Sequence, residues 1–166
     1  MDNRKGELIM ISMTMIKEVF SIKKANAHCD IPCGIYDPIT AKISAQTVLK
    51  MVARLESLDF STGINSVDQP NLVARYIAVK EEHAQAVKHD LSVLWSDYFK
   101  PEHLEKYPNL HDLFWNANKL AGANKQSVSS DSAKKLVDTV DEIASIFWAT
   151  KGVDYSDPNA AVRYGA

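Results

Sequence analysis

Both cysteines of the chain lie in one short stretch, with a histidine directly before the first. Residues 28–33 read HCDIPC, and the histidine, His28, and the two cysteines, Cys29 and Cys33, offer one imidazole and two thiols. Such a set can hold zinc if one further ligand is supplied. The two thiols can equally form a disulfide or stay free. Spacing alone leaves a metal site, a thiol redox pair and an ordinary turn open.

Composition sets the class of protein that carries this stretch. The chain has 166 residues, 46% of them hydrophobic and 24% charged, as expected of one globular domain. Its net charge of −2 gives no indication of a nucleic-acid or membrane partner, and we expect neither. Two cysteines are too few for a disulfide scaffold.

The first 27 residues differ from the rest, with five basic and three acidic side chains. An apolar run at 8–16 and the tripeptide Ala25-Asn26-Ala27 before His28 follow the order of a secretory signal. The run has only nine residues, is interrupted by Ser12 and Thr14, and is followed by four charged residues. Nine residues are too few to cross a bilayer as a helix. A flexible leader therefore explains this region at least as well as an export signal.

The body of the chain has the apolar periodicity of helices. The first helix is predicted from the Asp37-Pro38 pair to near Phe60, with Ile43 and Val48 on its apolar face. The second is predicted from about 70 to 95, a single turn over 102–105, the third from 108 to 120, and a loop over 122–129. The fourth should begin at Ser130 or Asp131 and end at Gly152, followed by a loose polar tail over 153–166.

Four amphipathic helices with short connections predict an all-α fold, an antiparallel up-and-down four-helix bundle. Bundles of this kind often hold a di-iron site, which needs Glu-x-x-His on two helices. None of the five histidines has a glutamate three residues before it, so the bundle is interpreted as a scaffold.

Three stretches of the sequence resemble one family. The segment HCDIPCGIYDP at 28–38 is similar to the metal-binding hook of nickel superoxide dismutase. The segments VLWSDYFKP at 93–101, continued by KYP at 106–108, and IFW at 146–148 are similar to the same family. The resemblance covers about 28–151. It implies a precursor with a leader at 1–27 that is removed, a nickel hook and four-helix bundle at 28–151, and a polar C-terminal tail at 152–166.

The resemblance also implies the metal site. Cleavage between Ala27 and His28 would free an α-amine. That amine, the amide nitrogen of Cys29 and the thiolates of Cys29 and Cys33 would then hold one nickel ion per subunit. The His28 imidazole would bind axially when the metal is oxidised. Two nitrogens and two thiolates in one plane suit nickel(II), which favours tetragonal geometry more than zinc does.

The activity implied is that of a superoxide dismutase, an oxidoreductase that converts superoxide to dioxygen and hydrogen peroxide by cycling between Ni(III) and Ni(II). The resemblance places Tyr36 beside the substrate face as a catalytic residue and Tyr98 behind it. Asp30 is also predicted beside the metal or along the path of the substrate.

Two positions depart from the family pattern. Ser44 and His83 stand where the family has a glutamate and an arginine that support the axial imidazole. A direct contact of either residue with His28 is a hypothesis.

Further expectations follow from the resemblance: a cytoplasmic antioxidant enzyme, a homohexamer, a dedicated propeptide peptidase and a supply of nickel. Two other classes of function remain open from the residues themselves. In one, the hook is a zinc clip of a helical interaction protein. In the other, Cys29 and Cys33 form a thiol redox sensor.

Overall fold

The computed structural model of the protein describes residues 34–61, 63 and 66–165. The predicted ligands His28, Cys29 and Cys33, together with Asp30 and the cleavage site, lie outside the described residues. The elements within them are α1 Ile39–Glu56, α2 Asp68–Val93, a π-helical segment Leu94–Tyr98, α3 Pro101–Lys106, α4 Leu110–Gln126, α5 Ser130–Thr150 and α6 Ala160–Tyr164. No strand occurs in this part of the chain, so the prediction of an all-α protein is confirmed.

Four of these helices form a bundle around one apolar core. Helix α1 packs on α2, α2 on α4, α4 on α5, and α5 back on α1. This order follows the order along the chain, as in an up-and-down four-helix bundle. The larger apolar side chains of the core are Val48, Val52, Val87, Leu91, Leu110, Phe114, Leu136, Val140, Ile143 and Phe147.

The buried face of α1 differs from the prediction. Ala41, Ala45, Val48 and Val52 are fully buried, whereas Ile43 is exposed. The buried set recurs at intervals of four, three and four residues, which keeps it on one side of a helix. Position 43 is two residues from Ala41, about 200° around the helix axis, and therefore faces away from the core.

Helix α4 is longer than predicted because a buried lysine caps its end. Lys80 of α2 is 2% exposed, and its Nζ donates hydrogen bonds to the carbonyl oxygens of Asn124, Lys125 (3.1 Å) and Ser127 (2.9 Å). Carbonyls at a helix C-terminus need such donors. Because Lys80 supplies these donors, the loop predicted from Gly122 begins only after Gln126. Burial of the Lys80 ammonium lowers its pKa.

Both ends of α5 are capped by hydrogen bonds. At its start, the Ser129 hydroxyl accepts the Ser132 N–H at 3.3 Å, so the cap is Ser129 rather than Ser130 or Asp131. At its end, Gly152 has φ +73° and its N–H bonds the Ala149 carbonyl, as in a Schellman motif. The prediction that the helix ends at Gly152 is correct.

The other helix boundaries differ by a few residues. Helix α1 ends at Glu56, before Phe60, and α3 spans six residues rather than one turn. The second predicted helix passes into the π-helical segment, where the Phe99 N–H bonds the Leu94 carbonyl at 3.1 Å. No helix in the described part of the chain is long and apolar enough to cross a membrane.

The prediction of a loose C-terminal tail is wrong. We call residues 153–165 the C-terminal strap, because they lie along α1 and are held there by polar contacts. Arg163 donates to the Gln46 side chain at 2.8 Å, and Lys50 Nζ donates to the Tyr164 carbonyl at 3.0 Å. The polar composition of the strap reflects these contacts with α1 and not solvation alone.

A buried charge network joins the strap to α1 and α5. Lys42, which is 3% exposed, lies 2.8 Å from Asp141 of α5 and 3.0 Å from Asp157 of the strap. Its ammonium also donates to the Tyr155 hydroxyl at 2.8 Å. Burial by itself lowers the pKa of Lys42, but these partners outweigh burial and raise it above its usual value. Hydrogen bonds from Arg163, opposed by burial and aided by Lys42, lower the pKa of Asp157 to about 2.

Asp157→Asn should destabilise the fold by about 1–2 kcal/mol at pH 7, because the change removes the charge that pairs with Lys42 and Arg163. The folded pKa of Asp157 lies below its ordinary value of 3.8. Its contribution is therefore complete above about pH 4 and is lost as the pH falls toward 2. Urea unfolding from pH 7 to pH 2 should show the two stability curves converging over that window.

Asp154→Asn is the matched control, since Asp154 is an exposed carboxylate of the same strap. It should leave stability unchanged within about 0.5 kcal/mol. Equal unfolding of the Asp157→Asn variant and the parent at pH 7 would show that the charge of Asp157 contributes no stability.

Candidate functional site

The predicted site residues fall into two groups. Tyr36, Ser44, His83 and Tyr98 belong to the described part of the chain, and the hook residues do not. Within that described part, no group of three or more His, Cys, Asp or Glu side chains could hold a metal ion.

The structure brings the two predicted tyrosines together. The ring centroids of Tyr36 and Tyr98 are 5.7 Å apart, with the planes tilted by 55°. Tyr36 lies three residues after Cys33, in the segment that leads into α1, and Tyr98 ends the π-helical segment. Residues 62 positions apart in sequence thus meet where the chain enters the bundle.

Three aromatic neighbours hold the ring of Tyr98. Phe147 of α5 lies 4.4 Å away between centroids, Phe99 lies 5.1 Å away edge-on, and His103 of α3 is stacked at 5.6 Å with an interplanar angle of 17°. Offset and edge-on aromatic pairs add about 0.5–1.5 kcal/mol each beyond burial. The ring of Tyr98 is therefore fixed by contacts from two further helices.

The surroundings of Tyr98 also include polar groups that the sequence did not identify. Its hydroxyl lies 2.5 Å from the Thr150 hydroxyl, and the Lys151 ammonium lies 5.1 Å from the ring centroid. Both residues sit at the end of α5, 52 and 53 positions from Tyr98 in sequence. No local sequence pattern reports such a contact, because only the packing of α5 against the π-helical segment creates it.

Ser44 and His83 lie on the two helices that follow the hook. Ser44 of α1 is 7% exposed. His83 of α2 is half-buried, and its Nδ1 atom is buried without a hydrogen-bond partner among the described residues. A buried imidazole nitrogen without a partner carries a free-energy cost. This nitrogen is the one described feature of the pair that indicates an unfilled polar contact.

Comparison with known proteins identifies the family that this chain resembles. A family model described as nickel-containing superoxide dismutase matches residues 23–151. Superoxide dismutase [Ni] from Streptomyces coelicolor is 40% identical over 138 residues, which cover 82% of this chain and 98% of that protein.

Solved structures give the same result. A native nickel superoxide dismutase has a TM-score of 0.66 and 41% identity, over 75% of this chain and 99% of that one. Three variants of nickel superoxide dismutase are also similar to this chain. Their TM-scores are 0.62–0.67 and their sequence identities are 38–40%, and the matches cover 70–76% of this chain and 99–100% of theirs. They change the first residue, a histidine, to alanine, the third, an aspartate, to alanine, and the ninth, a tyrosine, to phenylalanine.

A double-mutant cycle should measure the contact between the two tyrosines. Tyr36→Ala and Tyr98→Ala should each destabilise the protein, and the double variant should be less destabilised than their sum by about 0.5–1.5 kcal/mol. Urea unfolding of the four proteins provides the values. Tyr36→Ala combined with Thr139→Ala, a half-buried position on α5, should be additive. Additivity in the tyrosine cycle itself would contradict a direct contact.

Proposed function

The chain belongs to the nickel-containing superoxide dismutase family, and on that premise we propose that its nickel binds at hook residues 28–33 after cleavage between Ala27 and His28. The protein is an oxidoreductase that acts on superoxide and uses nickel as its cofactor.

The strongest support is the spacing of three residues. The solved enzymes have a histidine first, an aspartate third and a tyrosine ninth. In this chain His28, Asp30 and Tyr36 have the same spacing. This register aligns His28 with the first residue of the solved enzymes and leaves 27 residues before it.

Chain lengths support removal of a leader. The solved native enzyme is matched over 99% of its length by 75% of this chain. The Streptomyces coelicolor sequence matches over 82% of this chain and 98% of its own length. The match to the Streptomyces coelicolor sequence thus covers a larger share of this chain than the match to the solved enzyme, which supports a leader that the solved enzyme lacks.

The donor set fits the metal. Cys29 and Cys33 would supply two thiolates, and His28 would supply its imidazole and, after cleavage, its α-amine. Soft thiolates with nitrogen donors suit nickel in a tetragonal site. Bound there, nickel would supply a one-electron redox couple that can both oxidise and reduce superoxide. The uncut chain lacks the amine, because that nitrogen is in the Ala27–His28 peptide bond.

Tyr36 and Tyr98 would then line the approach to the metal. Their rings are in contact, and Tyr36 follows Cys33 by three residues. Their hydroxyls would hold water or peroxide near the reacting atoms, and their bulk would limit access to the thiolates, which peroxide can oxidise. Asp30, between the two cysteines, would orient the hook.

We propose the three-part division given above, a homohexamer, a cytoplasmic location, and maturation by a dedicated peptidase with a supply of nickel. The family match ends at residue 151, which supports treating 152–166 as an addition to the enzyme domain.

Intact mass and metal content of the purified protein test the central proposal. The active form should lack residues 1–27 and contain about one nickel per chain. Cys29→Ser and Cys33→Ser should each lose nickel and reduce dismutation by at least about a hundredfold. Each change removes one of the two thiolates that would hold the metal, which should cost more than the roughly 10- to 100-fold usual for a residue that only supports a ligand. Ser127→Ala, on an exposed loop, is the control and should retain both. An uncut, active chain with zinc or no metal would overturn the proposal in favour of a zinc clip or a thiol sensor.

His83→Ala tests whether the buried imidazole supports His28. If its unpartnered Nδ1 supports the His28 imidazole, the variant should change the nickel(III) EPR spectrum. It should also lower turnover about tenfold, a usual loss when a residue that supports a metal ligand is removed. His89→Ala, an exposed histidine of the same helix, is the control. An unchanged spectrum and unchanged turnover in the His83→Ala variant would exclude this role.

A further inference from the structure

We propose that Thr150 is a positioning residue that fixes the hydroxyl of Tyr98 as a hydrogen-bond acceptor toward the site. This inference rests on the proposed function, since it assumes that Tyr98 lines the approach to the metal. It also implies that Tyr98 does not pass a proton to the substrate. Two hydrogen bonds at the end of α5 carry this inference, one between Thr150 and the Phe147 carbonyl and one between the hydroxyls of Tyr98 and Thr150.

The chain of bonds begins with a carbonyl that the helix leaves without its usual donor. In a continuing helix the Lys151 N–H would bond the Phe147 carbonyl. Here the Lys151 N–H bonds the Trp148 carbonyl at 2.9 Å, because Gly152 turns the backbone out of the helix in the Schellman motif. The carbonyl of Phe147 therefore needs another donor.

Thr150 supplies that donor. Its Oγ1 lies 2.6 Å from the Phe147 carbonyl oxygen. A carbonyl oxygen can only accept a hydrogen bond, so the single hydroxyl hydrogen of Thr150 points at it. Toward any other partner, the Thr150 oxygen can then act only as an acceptor.

The direction of the second bond follows. The hydroxyl oxygens of Tyr98 and Thr150 are 2.5 Å apart, and one of them must donate. Because the Thr150 hydroxyl hydrogen is directed at the Phe147 carbonyl, Tyr98 donates to Thr150. Phe147, Phe99 and His103 hold the ring in place, so rotation of the hydroxyl hydrogen is the main freedom that Thr150 removes.

Two consequences follow for the site. The lone pairs of the Tyr98 oxygen that remain available can accept a hydrogen bond from water or hydrogen peroxide, which carry O–H groups. Superoxide has no hydrogen to donate and gains nothing from them. The chain Tyr98–Thr150–Phe147 also ends at a backbone carbonyl, which cannot supply a proton. Protons for the formation of peroxide must therefore arrive by another route.

Thr150→Val removes the acceptor while keeping the shape of the side chain, and Thr150→Ser keeps the hydroxyl. With Val at position 150, the Tyr98 hydroxyl can turn and donate toward the site. Azide, a small anion used as a probe of the nickel-loaded enzyme, should then bind about three- to tenfold more tightly, which is the effect of one hydrogen bond. Thr150→Ser should bind azide as the parent does.

Raman spectroscopy measures the hydrogen bonding of the Tyr98 hydroxyl directly. The intensity ratio of the tyrosine Fermi doublet in the Raman spectrum depends on whether the hydroxyl donates or accepts. The difference between the parent and Thr150→Val should report the loss of donation by one tyrosine, and that difference should vanish in a Tyr98→Phe background. Thr139→Val is the matched control, because the half-buried Thr139 makes the same kind of bond within α5, donating to the Lys135 carbonyl at 2.7 Å.

Unchanged azide affinity and an unchanged doublet in Thr150→Val would overturn the inference. An equal effect of Thr150→Val with and without the Tyr98 hydroxyl would also overturn it, because Thr150 would then act through packing alone. Failure of the proposed function is distinguishable, since the parent would then bind no nickel at the hook while the Raman difference still appeared.

Discussion

Backbone groups at the ends of helices must find hydrogen-bond partners, and in this bundle side chains of other elements supply several of them. Lys80 of α2 donates to carbonyls at the end of α4, and Lys50 of α1 donates to the last carbonyl of α6. The Glu56 carboxylate of α1 accepts hydrogen bonds from the Ser130 hydroxyl and the Ser130 N–H at the start of α5, and these two bonds, the hydroxyl's first, lower the pKa of Glu56. Each cap joins two elements that are distant in sequence. The same requirement that ends a helix therefore also fixes its position against its neighbours.

The entrance to α1 combines two such constraints. On one side, the C-terminal strap holds α1 through Lys42 and Asp157, and the paired charges make an otherwise costly buried lysine acceptable. On the other side, Tyr36 packs on Tyr98, whose hydroxyl lies 2.5 Å from the Thr150 hydroxyl at the end of α5. The segment that follows the hook is thus supported by rigid helices. The nickel site proposed for the hook would need such support, because its ligands must be held close to their productive geometry.

Much of the fold could be predicted from sequence. The apolar spacing of α5 and the glycine at 152 predicted its length, because both depend on local geometry. The exposure of Ile43, the extension of α4 past Gly122 and the docking of the strap could not be predicted in this way. Each depends on a partner elsewhere in the chain: the packing of Ala41 and Ala45, the ammonium of Lys80, and the side chains of Lys42 and Gln46.

For the site, the sequence by itself determined the donor types and their spacing. A histidine, two cysteines and a tyrosine in a nine-residue stretch limit the chemistry, because their side-chain atoms set which metals can bind. The sequence also pointed to Tyr36 and Tyr98 through family resemblance. Only the tertiary structure decided that these two rings touch and that the hydroxyls of Tyr98 and Thr150 lie within hydrogen-bond distance. Those facts depend on how helix ends meet in space, and the spacing of residues along the chain does not contain that information.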